Sequence, residues 1–291
     1  MSLASDGEYT APSDEALAFD LLIVKDVGMN MIRLHQKVNS ERWYWWADSL
    51  GIVILHDMVQ KYGGSSPATV EPFMQELKDM IDGRGNHACI VQWETFNEGD
   101  CVKQFNATAV VEWTKAYDPH RLVDTNSGGP ANNLHVGDVN DIHSYPYPGK
   151  PAPSATQYAM IGEFGGIGTF QPNVHQWANT ECHTYLHVAN ASSYASTYIA
   201  MINSIIAYRD SPGVSAAVYT QTTDVENECD GFGMSARVND GPPQHPVDPT
   251  PFLPPLLFSP VNMDRTAKFS ADEIAAIKAA NVALTTTQAQ A

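Results

Sequence analysis

Two glutamates stand where predicted β-strands end, and a pair of carboxylates in one pocket can cleave a glycosidic bond. Glu98 ends the run "IVQWETFNE", and Glu163 lies within "IGEFGG". In such a cleavage one carboxyl group protonates the leaving oxygen, while the other stabilises or traps the developing oxocarbenium ion. The acid needs a raised pKa and its partner must stay ionised, so the two groups require different surroundings. Alone, Glu98 is more readily explained as a solvated turn residue; a second strand-end glutamate favours a catalytic pair.

The residues that flank the two glutamates differ. Asn97 precedes Glu98, and its side-chain amide can donate a hydrogen bond to a sugar hydroxyl beside the acid. Glu163 is followed by "FGG", whose glycines let backbone come close to the carboxylate. The dipeptide "NE" recurs near residue 227, so it carries little weight without the strand context.

Strands and helices alternate along the chain, as they must if one edge of a sheet is to collect these side chains. Several strands are apolar enough to be buried on both faces, which is typical of parallel strands covered by helices. Seven strands are predicted, at 29–35, 52–58, 88–96, 121–127, 141–146, 159–165 and 215–222. Helices are predicted at 13–28, 40–51, 69–83, 102–118, 191–210 and 270–284. In a closed barrel the carboxyl ends of such strands converge on one face, where active sites lie.

This order predicts an α/β fold, a (β/α)8 TIM barrel whose first strand lies upstream of residue 1 or is absent, because seven strands are found where eight are needed. A barrel that lacks one strand has two unpaired edges. We predict a single domain over residues 1–291, with a Pro-rich segment at about 240–260 that is either a loop over the barrel mouth or a linker. A serine cap with an acid three residues later predicts a closing helix at about 270–284.

Composition argues against several classes of partner. The formal charge is −17, from 33 acidic and 16 basic residues, and it repels phosphate backbones and anionic lipid headgroups. No stretch reaches the roughly 18 apolar residues of a membrane span, and the start "MSLASDGEYT" lacks the apolar core of a secretory signal. We therefore expect neither nucleic acid nor membrane as a partner, and a cytoplasmic protein unless its true N-terminus is missing from this chain.

The cysteines and two further patterns bear on metal binding. Four cysteines lie far apart without a CxxC pair, which favours free or buried thiols over disulfides. His183 and His187 have the HxxxH spacing of a helical zinc site, but a second ligand pair is missing and a solvated helix face is favoured. The acidic run "DVENECD" at 224–230 could hold a hard cation, although a loop near the substrate is favoured. We predict no metal and no cofactor.

Six segments carry a family resemblance. In chain order they are "GMNMIRLHQKVNSERWYWWADSLGIVILHDM", "NHACIVQWETFNEG", "DPHRLVDTNSGG", "GDVNDIHSYPYPG", "IGEFGG" and "AAVYTQTTDVENECDG". Together they resemble the catalytic barrel of glycoside hydrolase family 2, the group of retaining β-galactosidases, β-glucuronidases and β-mannosidases. The chain is most similar to the β-galactosidase-like members, and the resemblance spans about residues 9–284.

The resemblance implies roles for the residues around the carboxylate pair. Glu98 would be the general acid/base, Glu163 the nucleophile, and Asn97 would bind the substrate hydroxyl next to the anomeric carbon. Retention of configuration implies carboxyl groups about 5 to 5.5 Å apart. Family members also carry a sugar-binding sandwich and an immunoglobulin-like domain before the barrel, and a longer chain would have to supply them.

The resemblance also assigns residues on neighbouring strands. Arg33 would keep the nucleophile ionised, Tyr145 would hydrogen-bond the same carboxylate, and His35 and His143 would line the sugar site. From its place at a strand end, Asp57 is a further candidate for the mouth. Each has a simpler alternative: Arg33 could pair with a structural acid, and His143 and Tyr145 could be packing and turn residues.

These expectations give two functional hypotheses. The first is a glycoside hydrolase that cleaves a terminal β-linked sugar with retention of configuration. The second is a truncated barrel that binds carbohydrate but turns it over weakly or not at all. Both have a carbohydrate as the ligand.

Overall fold

A computed structural model of the chain describes residues 14–59, 67–98, 105–128, 135–169, 183–224, 228–232 and 268–286. Its strands are β1 Met31–Leu34, β2 Val53–Asp57, β3 Ile90–Glu94, β4 Leu122–Asp124, β5 Val139–Ser144, β6 Tyr158–Gly165, β7 Ile167–Gly168, β8 Leu186–His187 and β9 Val214–Thr220. Its helices are α1 Asp14–Asp26, α2 Glu41–Leu50, α3 Pro67–Arg84, α4 Ala107–Tyr117, α5 Ala191–Asp210 and α6 Ala271–Thr285. All seven predicted strands and all six predicted helices are therefore found.

The strands are parallel and follow the order of a barrel. β1 to β4 form one sheet in sequence order, and β5, β6 and β9 form a second. The two sheets meet where the backbone N–H of Asp138 donates to the carbonyl of Val123 at 2.9 Å. Within the described ranges no hydrogen-bonded ladder joins β1 to β9, so the ring is not closed by strand pairing. The predicted α/β class is confirmed. Barrel closure is not detected in the described ranges, because β4 and β5 also lack a ladder, and the absence of a first strand stays a prediction.

Helices cover the outer faces of the strands and bury the apolar core. Trp43 of α2, Phe73 of α3 and Trp93 of β3 are at most 2% exposed and belong to one cluster under the first sheet. Tyr194 and Tyr198 of α5 anchor a second cluster under β6 and β9. Because both faces of the strands are covered, their sequences are near-continuous apolar runs, and these runs make the strands recognisable from the sequence.

Local signals fix several helix ends. Asn106 and Asn190 cap α4 and α5 by accepting hydrogen bonds from backbone N–H groups three residues on. Ser270 and Glu273 form the capping box predicted for the closing helix. None of the helices that the structure describes is both long and apolar enough to cross a bilayer.

Three sequence predictions concerned the cysteines, the pair His183 and His187, and the Pro-rich segment. Cys229 is disulfide-bonded, so the preference for four unbridged thiols was wrong at that position, whereas Cys89 is free and buried. His183 and His187 do not share a helix face: His183 forms an isolated bridge with Glu228, and His187 lies in β8, so their helical spacing has no meaning. The Pro-rich segment at 240–260 lies outside the described residues.

Candidate active site

The carboxyl ends of the parallel strands bring the predicted site residues together. Arg33 lies in β1, His143 in β5 and Glu163 in β6, while Asn97 and Glu98 follow β3. In the ladder between β5 and β6, His143 stands opposite Glu163. A cavity of about 920 Å³ opens at this end, and its lining includes Arg33, His35, Asn97, Glu98, Tyr145 and Glu163.

The two candidate catalytic carboxylates face each other across His143. Its Nδ1 lies 2.7 Å from Glu98 Oε1 and 3.3 Å from Glu163 Oε2. One oxygen of Glu98 lies within 4.8 Å of one oxygen of Glu163. The two carboxyl groups are therefore close enough to act on the same bond of a bound ligand.

Glu98 is placed by its backbone. Its residue has a φ of 46°, in the left-handed region, and its N–H donates to Ser127 O at 2.9 Å. Asn97, just before it, bridges to Ser127 in parallel register, which extends the contact between β3 and β4 beyond the ladder. The Glu98 side chain is 50% exposed and that of Glu163 only 16%. The two glutamates therefore differ in exposure: Glu98 reaches solvent, whereas Glu163 is largely enclosed.

Glu163 is held ionised by its neighbours. Arg33 Nη1 donates to Oε1 at 2.7 Å, and the Tyr145 hydroxyl donates to Oε2 at 2.6 Å. Burial opposes ionisation, but Arg33, His143 and Tyr145 outweigh it and lower the pKa of Glu163. Burial and the adjacent Glu163 raise the pKa of Tyr145, so its hydroxyl keeps the proton that it donates.

Arg33 is the hub of the site floor. Besides Glu163, its guanidinium donates to both oxygens of Asp57 at 3.0 and 2.8 Å, to Glu94 Oε2 at 2.6 Å and to Asn97 Oδ1 at 2.7 Å. Burial alone would lower its pKa, but the surrounding carboxylates raise it well above the ordinary value. Arg33 therefore forms ion pairs with two buried acids, Asp57 and Glu94, and with Glu163 at the same time, so the alternative of a purely structural ion pair describes only part of its contacts.

His35 and Asp57 lie beside this hub. His35 Nδ1 lies 3.1 Å from Asp57 Oδ2, and burial, with Arg33 nearby, lowers the pKa of His35 to about 4. The ring is therefore neutral near pH 7 and can exchange hydrogen bonds with a hydroxyl. Asp57 is 1% exposed and lies behind Arg33, not in the cavity wall. The structure places it as a support for Arg33, and a direct contact of Asp57 with sugar stays a prediction.

Ser127 and Asp141, which the sequence did not single out, lie next to His143. Ser127 Oγ lies 2.9 Å from His143 Nε2 and donates to Asp141 Oδ2 at 2.5 Å. Gly128 is required beside them, since a Cβ built there would lie 1.9 Å from His143 Cγ. The glycine in "NSGG" is the one signal that could have pointed to this contact, because serine and aspartate at strand ends are ordinary.

The glycines that follow Glu163 leave space for tyrosine rings. Tyr185 stacks on Tyr145 with ring centroids 3.8 Å apart and planes at 9°, and 60% of Tyr185 is exposed. Gly166 has a φ of +61°, and a Cβ built on it would lie 2.4 Å from Tyr185 Cδ2. The prediction that these glycines admit backbone close to the carboxylate was incomplete: at Gly166 the close approach is by a tyrosine ring. Tyr185 itself gave no sequence signal.

Three further acids are buried beneath the site. Burial raises the pKa of Glu94 to about 8 despite Arg33, and raises that of Asp141 to about 6 and that of Asp124 further above its ordinary value. Asp124 Oδ2 has no hydrogen-bond partner among the described residues. The site therefore rests on a floor of carboxyl groups that hold protons more firmly than they would in water.

The contact between His143 and Glu98 bears on whether an ion could sit there. Two ligand atoms that each lie about 2.1 Å from an ion stand roughly 3 Å or more apart. At 2.7 Å, His143 Nδ1 and Glu98 Oε1 are at direct hydrogen-bond distance instead. We therefore treat the pair as hydrogen-bonded, and the prediction of no metal and no cofactor stays a prediction.

Sequence comparisons relate the chain to glycosidases. The profile "Glycosyl hydrolases family 2, TIM barrel domain" matches residues 10–164, a range that includes Glu98 and Glu163. A β-galactosidase of Vibrio cholerae is 27% identical over 156 residues, which is 50% of this chain and 15% of that protein. A β-galactosidase of Yersinia pestis is 25% identical over 160 residues, 52% of this chain and 15% of the relative. The chain thus spans only a small part of these curated relatives.

Solved structures show the same fold. A β-galacturonidase of Eisenbergiella tayi, bound to galacturonate, superposes with a TM-score of 0.65 at 15% identity, covering 97% of this chain and 50% of that one. A β-glucuronidase of Bacteroides uniformis superposes with a TM-score of 0.59 at 16% identity, covering 77% of this chain and 31% of that one. At such identities the likeness concerns the fold alone.

Proposed function

Because the chain belongs to glycosyl hydrolase family 2, we propose that it hydrolyses a terminal β-linked sugar, as a β-galactosidase does, by a double displacement that retains configuration. The observation that carries the proposal is the pairing of an exposed Glu98 with a buried, ionised Glu163 whose nearest oxygens lie within 4.8 Å. That spacing leaves no room for a water between acid and base on opposite faces of a sugar, as inversion requires.

In the first step a Glu163 oxygen attacks the anomeric carbon. The bond from that carbon to the leaving oxygen breaks, and Glu98 transfers its proton to that oxygen. In the second step the ionised Glu98 removes a proton from water, and the oxygen of that water displaces Glu163 from the sugar. Glu98 has regained its proton and Glu163 its charge when the product leaves.

The neighbouring side chains support these steps. Arg33 and Tyr145 stabilise the negative charge on Glu163 between turnovers, and Tyr145 keeps its proton throughout. Asn97 and the neutral His35 line the cavity and would bind sugar hydroxyls. Asn97 Oδ1 accepts from Arg33, and this hydrogen bond fixes the orientation of the side-chain amide at the cavity wall.

We propose a neutral sugar as substrate. The sequence relatives are named β-galactosidases, whereas the structural neighbours are named for uronic acids. Glu98, Glu163, Glu228 and Asp230 all line the cavity, and the chain carries a charge of −17. Arg33 is at the site but is already bonded to three carboxylates, so it offers little to a uronate.

A second candidate is a carbohydrate-binding barrel with little turnover. In the described part of the chain no ladder joins β1 to β9, so each of these strands has one open edge. This favours the second candidate, because Arg33 lies on β1. If that edge moves, the distance from Arg33 to Glu163 moves with it. Binding of a sugar would survive a shift that abolishes catalysis, since catalysis tolerates misplacement far less well.

Substitution of the nucleophile tests the proposal. The parent chain is assayed on a panel of aryl β-glycosides that includes the galactoside, glucoside, mannoside and glucuronide. Glu163→Gln is expected to lose at least 1,000-fold in kcat on any substrate that the parent cleaves, because the covalent step needs a carboxylate. Glu112→Gln, the same change on the exposed face of α4, is the control and should retain activity. Full activity of Glu163→Gln would refute the proposal.

A further inference from the structure

The hydrogen bonds behind His143 form a chain whose proton positions can be assigned. Asp141 is 5% exposed, and both of its oxygens are occupied: Gly162 N–H donates to Oδ1 at 2.5 Å and Ser127 Oγ donates to Oδ2 at 2.5 Å. Above pH 6, the value to which burial raises the pKa of Asp141, this carboxyl group is ionised and can only accept. A hydroxyl has one proton, so the fully buried Ser127 donates it to Asp141. Ser127 therefore presents only a lone pair to any other neighbour.

That lone pair faces His143 Nε2 at 2.9 Å. A contact of this length between two acceptors would be repulsive, so Nε2 must carry a hydrogen. Arg33 Nη1 donates one hydrogen to Glu163 Oε1 at 2.7 Å, and its second N–H meets His143 Nε2 only at 3.5 Å, the long limit of a hydrogen bond, so the Ser127 contact at 2.9 Å is the stronger one. The ring tautomer of His143 is thereby fixed from behind.

The other ring nitrogen, Nδ1, faces the two glutamates. Glu98 Oε1 lies 2.7 Å away and Glu163 Oε2 lies 3.3 Å away. Glu163 is ionised by Arg33 and Tyr145, so it brings no proton to this contact. A neutral His143 would have a bare Nδ1 against an ionised Glu98 at 2.7 Å, which is unfavourable. One proton must therefore lie between Nδ1 and Oε1.

We propose that Glu98 and His143 share the catalytic proton. The Asp141–Ser127 pair fixes the tautomer of His143, and for this reason Glu98 and His143 keep that proton up to a higher pH. His143, Ser127 and Asp141 are positioning residues in this scheme. The catalytic meaning rests on the proposed function, since the shared proton is the one that Glu98 transfers to the leaving oxygen. After transfer Glu98 is ionised, and the proton that it takes from water in the second step restores the pair.

The proposal makes a signed prediction for the pH profile. The groups that face His143 are Arg33 from β1, Glu98 after β3, Ser127 after β4, Asp141 on its own strand and Glu163 from β6. When pH rises and the pair loses its proton, Nδ1 cannot turn into a donor, because Ser127 keeps the hydrogen on Nε2. The protonated pair is therefore favoured, and the alkaline limb of activity lies at higher pH than it would with a free ring.

Two substitutions release the ring by different routes. Ser127→Ala removes the acceptor behind Nε2. Asp141→Asn is isosteric: its oxygen must stay on Gly162 N–H, so its NH₂ donates to Ser127, whose hydroxyl then donates to Nε2. In both variants neutral His143 can carry its hydrogen on Nδ1 and stabilise an ionised Glu98. The alkaline limb of kcat/KM on a p-nitrophenyl glycoside should fall by about 1 pH unit in each.

Substrate and control variants separate this effect from loss of structure. A 2,4-dinitrophenyl glycoside needs little acid assistance, so its glycosylation rate should change far less than that of the p-nitrophenyl substrate. Asp118→Asn makes the same change in a buried acid after α4 whose carboxylate accepts from Trp93 and Arg121, and it should leave the position of the limb unchanged. Equal losses at all pH values and for both substrates would overturn the proposal.

A measurement without turnover tests the same claim. Nitrogen-15 NMR of the histidine rings, recorded above the alkaline limb or across pH 6 to 10, reports which nitrogen of His143 lacks a hydrogen. We expect Nδ1 in the parent and in Asp118→Asn, and Nε2 in Ser127→Ala and Asp141→Asn. The same bare nitrogen in parent and released variants refutes the proposal. If no variant hydrolyses any glycoside, the proposed function fails while this readout still decides the tautomer.

Discussion

The Tyr145 hydroxyl donates to Glu163 Oε2 at 2.6 Å. Removing this hydroxyl should change the pKa of Glu163 while the aromatic ring still fills its place in the pocket. The nucleophile acts when ionised, so activity is lost as pH falls through the pKa of Glu163. Tyr145→Phe deletes one hydrogen bond to the charged form, worth about 1.5 to 3 kcal/mol, and so raises that pKa. We expect the acid limb of kcat/KM to move up by about 1 to 2 pH units. Tyr147→Phe, at an exposed phenol two residues away, should leave the limb in place; the same limb in Tyr145→Phe as in the parent would contradict the assignment.

At the residue scale the sequence predicts the groups that end strands and misses those that act from behind. Glu98 and Glu163 are recognisable because a carboxylate at a strand end is exposed to the mouth of a barrel. Ser127 and Asp141 are of types that occur in any turn, and only the register of β4 and β5 brings them to His143. Asp57 was expected at the mouth and lies behind Arg33, since the charge of a buried arginine must be compensated by acids nearby.

At the scale of elements, the chain after β6 is held by a glycine in a conformation that other residues adopt at a cost. Gly166→Ala places a methyl group 2.4 Å from Tyr185 Cδ2 at a φ of +61°. We expect a loss of about 1 to 3 kcal/mol in the free energy of unfolding, measured by urea denaturation. In Gly83→Ala, the matched control, the new Cβ meets nothing within 4 Å inside α3, so stability should rise by about 0.5 to 1 kcal/mol. Equal stabilities of the two variants would rule out the packing argument.

The elements themselves were largely predictable, and their ends were not. The strand predicted at 88–96 is regular only over Ile90–Glu94, and the one predicted at 121–127 only over Leu122–Asp124; beyond them the two segments stay in contact through the isolated bridge of Asn97 with Ser127. Beyond those points the chain leaves the ladder to place Asn97, Glu98 and Ser127, so the error falls where the site is built. The pair β7 and β8 was missed because two-residue strands carry no periodicity.

At the scale of the whole molecule, buried acids predict how stability depends on pH. Burial raises the pKa of Glu94 to about 8 and that of Asp141 to about 6, above their unfolded values of 4.5 and 3.8. At these two groups the folded state therefore binds more protons than the unfolded state. Their contribution to the free energy of unfolding is fully present below pH 4 and declines as pH rises through 6 and 8, whereas His35 and His56, whose pKa values burial lowers to about 4, act in the opposite direction up to about pH 6.5.

We expect the free energy of unfolding to be lower at pH 8.5 than at pH 5.5 by on the order of 2 kcal/mol, measured by urea denaturation at both values. Glu94→Gln removes the carboxyl group whose pKa burial raises to about 8 and should make the loss of stability between the two pH values smaller than in the parent. A pH dependence as steep in Glu94→Gln as in the parent would show that Glu94 is already ionised in the folded state.

The global architecture followed from counting. Alternating helices and strands indicated a barrel. In the described residues the strands form two sheets, and a ladder is missing between β4 and β5 as well as between β9 and β1. The count could not tell how close the two carboxylates stand, because their separation depends on register, on the left-handed φ of Glu98 and on the hydrogen bonds around His143. A complete site on an incompletely paired ring is the main question that the fold raises.

Covalent trapping answers it most directly. A 2-fluoro β-glycoside of the sugar preferred in the panel, with a dinitrophenol leaving group, slows hydrolysis of the glycosyl-enzyme, so the intermediate accumulates. We predict that intact-mass and peptide analysis will find one 2-fluoroglycosyl group per chain, attached to Glu163, and none on Glu163→Gln. A parent chain that binds the compound yet carries no label, or that carries it on a residue other than Glu163, would contradict the account.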